Sequence, residues 1–207
     1  MSTDYNLLIN DLIRSGYLKT SRIIQAFEKF ERKYFVPKSL AQYANLNQPL
    51  PIGSGQTISQ PLTVAYMLEL LDPKPGNKIL EIGGGSGWQT AILSDIVGKD
   101  GKIYSFEIVK SLADFGRKNL KRFNLKNVIF KCRDVSEGYK MYAPYDRIIS
   151  GAAFSKIPKK LKKQLSINGI LVAPTQKDDI RKIIRLSKDE YKKETIPGFI
   201  FVPITKN

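Results

Sequence analysis

Residues 78–87 read Lys78-Ile79-Leu80-Glu81-Ile82-Gly83-Gly84-Gly85-Ser86-Gly87, and Trp88-Gln89-Thr90-Ala91-Ile92-Leu93 follow. A short apolar run, a burst of glycine and then residues at helical spacing predict strand, tight turn and helix. Glycines in such a turn let a ligand approach the backbone closely, so the stretch reads as a nucleotide-type site. Glycine-rich turns also have purely structural uses, and the rest of the chain must decide between the two.

The glycine spacing narrows the ligand. A dinucleotide fingerprint, Gly-x-Gly-x-x-Gly/Ala counted from Gly83, would put Trp88 where close helix-to-strand packing needs a small residue. A P-loop is excluded because no Lys-Ser or Lys-Thr pair follows the turn. What remains, Glu81-x-Gly83-x-Gly85-x-Gly87, resembles motif I of the S-adenosylmethionine-dependent methyltransferases with a Rossmann-like sheet. Their ligand carries a sulfonium, an amino acid and an adenosine, and no phosphate.

Outward from this motif the pattern repeats. Lys102–Glu107, Asn127–Cys132, Tyr145–Ser150 and Gly169–Pro174 read as strands, separated by helices over 88–97, 110–123 and 158–165. Such alternation predicts an α/β fold with a doubly wound, mostly parallel sheet and right-handed crossovers. Residues 180–187 and 198–204 read as two further strands with no helix between them, hence an antiparallel edge. Upstream, residues 4–15 and a helix capped by Ser21 are expected as packing helices. Residues 45–61 are too rich in Gly, Pro and small polar residues for a regular element and read as a loop ahead of a helix opening at Pro61. One domain over 1–207 is expected: helices and active-site loop over 1–60, cofactor core over 61–175, C-terminal strands over 176–207.

Composition limits the chemistry. The chain has 207 residues, one cysteine and no histidine, so neither a disulfide nor a Cys/His zinc site can form within it. The usual neutral-pH general base is missing, and with it most Ser-His and Cys-His schemes. Met1-Ser2-Thr3-Asp4-Tyr5 lacks a signal-peptide start, and no apolar run approaches a bilayer span, so a soluble cytoplasmic protein with no membrane partner is expected. With 34 basic against 19 acidic residues the net charge is +15, a field that attracts polyanions and acidic partners. Cys132 reads as a buried strand residue, and Lys156, Lys159, Lys160, Lys162 and Lys163 as the solvated face of a helix.

In a sheet of this kind the ligand lies past the carboxyl ends of the strands, where Gly83, Glu107 and Asp134 all fall. Glu107 is placed to accept hydrogen bonds from both ribose hydroxyls and Asp134 to accept from the adenine amino group; either could instead be a solvated strand-end acid.

The loop Pro49-Leu50-Pro51-Ile52-Gly53-Ser54-Gly55-Gln56-Thr57-Ile58-Ser59-Gln60-Pro61, joined to motif I, resembles the signature of the protein-L-isoaspartate (D-aspartate) O-methyltransferases. The similarity continues through Gln89-Thr90-Ala91, Ala143-Pro144-Tyr145-Asp146, Ala152-Ala153, Ile157-Pro158, Gly169-Ile170-Leu171-Val172 and Phe201-Val202-Pro203-Ile204. The resemblance implies methyl transfer from S-adenosylmethionine to the free α-carboxylate of L-isoaspartyl residues in damaged proteins. It also implies Ser59 as the active-site serine, with cofactor contacts from Thr57, Ile58, Glu81, Gly83, Gly84, Gly85, Glu107, Ile108, Asp134 and Val135. A monomer without specific nucleic-acid partners is expected.

The chemistry agrees with the composition. A carboxylate with a reference pKa of about 3.5 is already ionised at neutral pH and needs no histidine to become a nucleophile. Ser59 has a second reading as N-terminal cap of the helix after Pro61. Four departures from the family pattern stand out: Gly84 inside the glycine turn, Trp88 where tyrosine is usual, Arg133 and Val135 in place of the glycines that usually flank the acid, and Thr175-Gln176-Lys177 after the fifth strand. The competing functional classes are a nucleic-acid methyltransferase, a non-catalytic peptide-binding relative, and an enzyme that esterifies ordinary aspartate in a dedicated peptide.

Overall fold

Helices precede the sheet in the computed structural model, which describes residues 3–205; Met1, Ser2, Lys206 and Asn207, the ends of the 1–207 span, lie outside the described residues. The elements are α1 (Thr3–Arg14), α2 (Ser21–Lys29), two 3₁₀ turns (Arg32–Phe35 and Lys38–Tyr43), β1 (Leu50–Gly53), β2 (Gln56–Ile58) and α3 (Pro61–Leu71). Then come β3 (Lys78–Ile82), α4 (Trp88–Val97), β4 (Lys102–Glu107), α5 (Lys110–Lys121), β5 (Val128–Cys132) and β6 (Tyr145–Ser150). The chain continues through α6 (Lys159–Lys162), β7 (Leu165–Thr175), β8 (Asp179–Arg185) and β9 (Tyr191–Pro197).

Seven strands form one sheet in the order β5-β4-β3-β6-β7-β8-β9. Pairing is parallel from β5 through β7, and β8 and β9 add an antiparallel edge. The chain enters at β3, winds outward to β5, then crosses to β6 and winds the other way. The switch point therefore falls between β3 and β6, where the carboxyl ends of neighbouring strands diverge and leave a crevice.

Successive side chains of β3 serve opposite layers. Ile79 joins a large core with Leu12, Phe27, Leu68, Trp88 and Ile92, whereas Leu80 joins a second one with Phe106, Tyr145, Leu161 and Leu171. Helix α2 locks onto α4 through Trp88, whose indole N–H donates to the Phe30 carbonyl at 2.8 Å and whose ring meets Phe27 edge-on at 5.5 Å, and α1 is tied to α2 by the Tyr5 hydroxyl, which donates to the Phe27 carbonyl at 2.7 Å. Such an aromatic pair is worth about 0.5–1.5 kcal/mol beyond its buried area. On the other face, tyrosines do much of the covering: Tyr142 stacks on Tyr104 at 4.1 Å, and Tyr139 lies tilted against Phe106 at 4.7 Å.

Several expectations need correction. Thr20, not Ser21, precedes α2 as its cap residue; its hydroxyl is drawn off to Glu69 at 2.7 Å, and the same carboxylate accepts the Lys19 and Thr20 N–H groups. The 45–61 stretch contains a hairpin, because Ser54 and Gly55 both take positive φ (52° and 69°) and form the kind of two-residue turn whose twist matches antiparallel strands. Cys132 is exposed, since β5 is the sheet's edge. The expected lysine-rich helix is a single turn, and Leu165 already belongs to β7.

The second edge strand lies at 191–197 and not at 198–204. Leu186 N–H bonds the Glu190 carbonyl at 2.9 Å, closing a tight turn that pairs Arg185 with Tyr191. That register exhausts β8 at Asp179–Pro197, so the apolar residues after Gly198 have no strand left to pair with. They fold back across the carboxyl ends of the sheet instead: Ala153 N–H donates to the Val202 carbonyl and Ile204 N–H to the Ala153 carbonyl.

Candidate active site

The glycine turn is pinned before any ligand arrives. Gly83 and Gly84 N–H groups both donate to the Phe106 carbonyl of β4, at 2.8 and 3.0 Å. Gly83 does so with φ of 78°, a conformation that costs a side-chain-bearing residue strain. Gly84 is glycine for a packing reason: a Cβ there would lie 2.4 Å from the Ser105 hydroxyl and 2.5 Å from the Phe130 ring. The middle position of the turn, where this chain departs from the common pattern, is thus filled by its neighbours on β4 and β5.

Glu107 ends β4 with its carboxylate largely buried and oriented. One oxygen accepts the Gly85 N–H at 2.9 Å and the other the Val109 N–H at 2.9 Å. A carboxylate offers about four acceptor sites, so each oxygen keeps capacity for a further donor. The cleft beside it is walled by the hairpin residues Ile52, Gln56 and Thr57, the turn residues Gly83 and Gly85, and Glu107 with Ile108. Asp134 and Val135, and across from them Gly151 and the segment Val202–Thr205, complete the wall.

Asp134 sits at the exposed mouth, its carboxylate accepting the Ser136 N–H at 2.8 Å. Neither Arg133 nor Val135 has positive φ, so the backbone there makes no demand for glycine. Arg133 lies over the Tyr139 ring at 5.4 Å while still bordering the cleft, and Val135 is buried in the second core.

Glu81 is placed differently. It lies beneath the glycine turn, almost wholly buried, where it accepts hydrogen bonds from Thr90 Oγ1 at 2.5 Å and Gln89 Nε2 at 3.0 Å. Burial pushes its carboxyl above the ordinary carboxylate range, against hydrogen bonds from Thr90, Ser105 and Gln89 that pull it down. It ties β3 to the first turn of α4 and borders a second pocket together with Ile58, Ser59, Gly84 and Trp88.

A third groove, lined by Pro49, Ser59, Gln60, Thr63 and Phe201, completes the arrangement. Thr57 and Gly151 wall all three, so the cleft at Glu107 and the groove at Ser59 lie side by side. Ser59 does not cap α3. Gln60 occupies the cap position without a side-chain bond, and Asn47 Oδ1 accepts the free Leu62 N–H at 3.0 Å.

Sequence reasoning did not assign Ile52, Gln56, Gly151 or Val202–Thr205 to the site. It also passed over Arg32, whose side chain has no exposed surface and whose guanidinium donates to the carbonyls of Ala44, Leu46, Gln48, Ile58 and Ser59. Its one signal was an arginine inside the aromatic run Phe30–Phe35.

Comparison with known proteins bears on what such a cleft holds. The family model described as protein-L-isoaspartate(D-aspartate) O-methyltransferase matches residues 3–207. A protein-L-isoaspartate O-methyltransferase of Ignicoccus hospitalis is 40% identical over 95% of each chain. One of Methanosarcina mazei is 42% identical over 96% of this chain and 82% of its own. A solved structure of a protein-L-isoaspartate O-methyltransferase superimposes with a TM-score of 0.86 at 26% identity, over 98% of this chain and 66% of that one. The fold is also that of a Plasmodium falciparum protein described as a putative enzyme of this kind, solved with S-adenosyl-L-homocysteine (TM-score 0.85, 24% identity, both chains fully covered). With the match running unbroken through hairpin, glycine turn and C-terminal wall, the chain belongs to the protein-L-isoaspartate(D-aspartate) O-methyltransferase family.

Proposed function

We propose that this chain methylates the free α-carboxylate of L-isoaspartyl residues in damaged proteins and peptides, with S-adenosylmethionine as methyl donor. The observation that carries the reading is the adjacency of the Glu107 cleft and the Ser59 groove, which share Thr57 and Gly151 as wall. A donor in one compartment and an acceptor in the other meet at that shared wall.

The residues suit this donor. A carboxylate, and no lysine, faces the glycine turn; that arrangement favours a ligand with a vicinal diol and disfavours a phosphate. Glu107 accepts the ribose hydroxyls, Gly83–Gly85 allow close approach, and Thr57, Ile108, Asp134 and Val135 complete the wall. Ile58 and Glu81 act from beneath, one packing the hairpin and the other holding the turn. When bound, the donor supplies a methyl carbon activated by a positively charged sulfur.

What the chain must do is orient an oxygen. The acceptor carboxylate arrives ionised, so no side chain has to remove a proton. Ser59 donates a hydrogen bond that holds one carboxylate oxygen in line while the other faces the methyl group. Opposite charges cancel as the ester forms, so exclusion of water by the wall of Phe201 and Val202 favours the step. The ester then closes to a succinimide, whose hydrolysis returns part of the material to normal aspartate.

The whole of 1–207 works as one methyltransferase unit, a monomer in the cytoplasm with no sequence-specific nucleic-acid partner. No helix among the described residues is long and apolar enough to cross a membrane. The test is transfer of labelled methyl from S-adenosylmethionine to an isoaspartyl peptide, its aspartyl isomer and bulk RNA in parallel. Labelling of the isoaspartyl peptide alone is expected; equal labelling of the aspartyl isomer, or labelling of RNA, overturns the assignment.

A further inference from the structure

Over the β7–β9 end of the sheet, a separate concavity gathers positive charge from four elements. Lys156 comes from the loop after β6, Lys162 from α6, Lys177 from the β7–β8 turn and Lys193 from β9. Buried Thr175 and Ile183 also line it, with Ser155 at its side and no carboxylate among the lining residues. Arg181 borders the pocket as well, but its guanidinium is engaged by Asp179 at 2.7 Å and by the Thr195 hydroxyl. The four lysines make no ion pair among the described residues. Lys162 lies over the Tyr191 ring at 5.3 Å, and burial together with Lys193, Lys159 and Lys156 holds its ammonium below the ordinary lysine range.

A solvated lysine face spreads its charges apart. Here they converge from separate elements on one hollow; of the acids close by, Asp178 and Glu194 adjoin lining residues, and Asp179 is held by Arg181 and Thr175 while also acting on Lys177, but none lines the hollow itself. Such an arrangement stores like-charge repulsion that an anion relieves.

The hollow also has a fixed relation to the reaction centre. Gly151 walls the catalytic compartments and Ser155 the basic pocket, and four residues of chain span at most about 14 Å. The connecting loop is held at both sides: Phe154 N–H donates to the Pro174 carbonyl at 3.0 Å, Gln176 N–H to the Phe154 carbonyl at 2.9 Å, and Ala153 bridges to the C-terminal segment. An extended polypeptide covers such a distance in about four or five residues.

We propose that this pocket is a specificity subsite for acidic side chains of the substrate polypeptide, a few residues from the isoaspartyl group in the catalytic groove. The inference rests on the isoaspartyl reading of that groove and adds a substrate preference to it. Glutamate, aspartate or a phosphorylated residue supplies the matching anion, and the +15 net charge attracts acidic protein surfaces to the molecule.

The test uses isoaspartyl peptides with two glutamates centred four or five residues to the N-terminal or C-terminal side, against matched glutamine peptides. One of the two acidic series is expected to show a KM roughly three- to tenfold below its glutamine control at low salt, with kcat unchanged. The double variant Lys156→Gln/Lys193→Gln alters two exposed side chains and should abolish that preference while methylating the glutamine peptide normally. Equal KM values for acidic and neutral peptides, or a preference that survives in the double variant, overturns the subsite. If wild-type protein methylates neither peptide, the isoaspartyl reading itself falls, and the subsite with it.

Discussion

Arg32 makes a prediction that tests how the active-site segment is held. Its guanidinium, lying 5.6 Å from the Trp88 ring, reaches five carbonyls between residues 44 and 59, at 2.9–3.4 Å. These cover the hairpin's approach, its exit and Ser59 itself. Burial lowers the Arg32 pKa to about 10, which leaves the group cationic at neutral pH. Arg32→Met keeps a long apolar stem and removes every donor. The carbonyls of Ala44 and Ile58 lie in buried bonds, and leaving a buried acceptor unpaired costs about 1–3 kcal/mol each. The other three are partly buried and can recruit water. Relief from burying a cation offsets part of the loss, so a net destabilisation of about 2–4 kcal/mol is expected. Arg32→Lys has three donors for five carbonyls and should fall between. Urea unfolding gives the stability, calorimetry with S-adenosylhomocysteine gives cofactor affinity, and initial rates give turnover. Because the arginine bonds the Ser59 carbonyl directly and reaches the Glu107 cleft only through the hairpin, turnover of the folded variant should drop more than cofactor affinity. A loss of unfolding free energy below about 0.5 kcal/mol together with wild-type turnover would refute the reasoning.

Three further outcomes are expected. Ser59→Ala should lower turnover roughly ten- to hundredfold, the worth of a hydrogen bond to a charged group, while cofactor affinity and stability stay near wild type because Asn47 serves the start of α3; a destabilised variant with unaltered turnover would sink the catalytic role. Glu107→Gln places an amide NH₂ against the Gly85 or Val109 N–H and should weaken S-adenosylhomocysteine binding by about ten- to hundredfold by calorimetry, and unchanged affinity contradicts the ribose assignment. Burial raises the Glu81 carboxyl, so the folded state keeps that proton to higher pH than the unfolded chain does. Stability from this group is full at low pH and declines from the ordinary carboxylate range up to the raised folded value, by up to about 1.4 kcal/mol per pH unit. Glu81→Gln should lack that decline, and parallel stability–pH curves for variant and wild type would exclude it.

Local features carried most of what could be read beforehand. The strand at Lys78–Ile82, the glycine turn and the acids at 107 and 134 are legible because period, turn chemistry and strand-end position are properties of neighbouring residues. The hairpin was hidden because its strands have four and three residues and contain Pro51 and Gly53, which weaken any β pattern; the Ser54-Gly55 pair was the cue to it. The run at 198–204 has a strand's apolarity, yet a turn at Leu186–Glu190 set the register that excluded it from the sheet. Arg32 could not be found from spacing, since its partners lie 12 to 27 residues away and are backbone carbonyls, which every residue possesses. The departures at Gly84, Arg133 and Val135 gained a meaning only with their neighbours in place: Ser105 and Phe130 for the first, Tyr139 for the second, the second core for the third.

The outer strand β9 has a consequence for how copies of this protein behave toward one another. Lys192, Lys193, Glu194 and Thr195 are all exposed, so this end of the sheet offers unpaired backbone donors and acceptors with no apolar face beside them. A second copy approaching to extend the sheet would bring its own lysines and a second net charge of +15 toward this edge. Colloidal stability at this edge is therefore a matter of ionic strength. At low salt the repulsion reaches well beyond contact distance; at about 1 M its range shrinks to roughly 3 Å. Growth of light scattering with added salt, suppressed when Thr195 is replaced by a further lysine, is the signature of an edge guarded by charge.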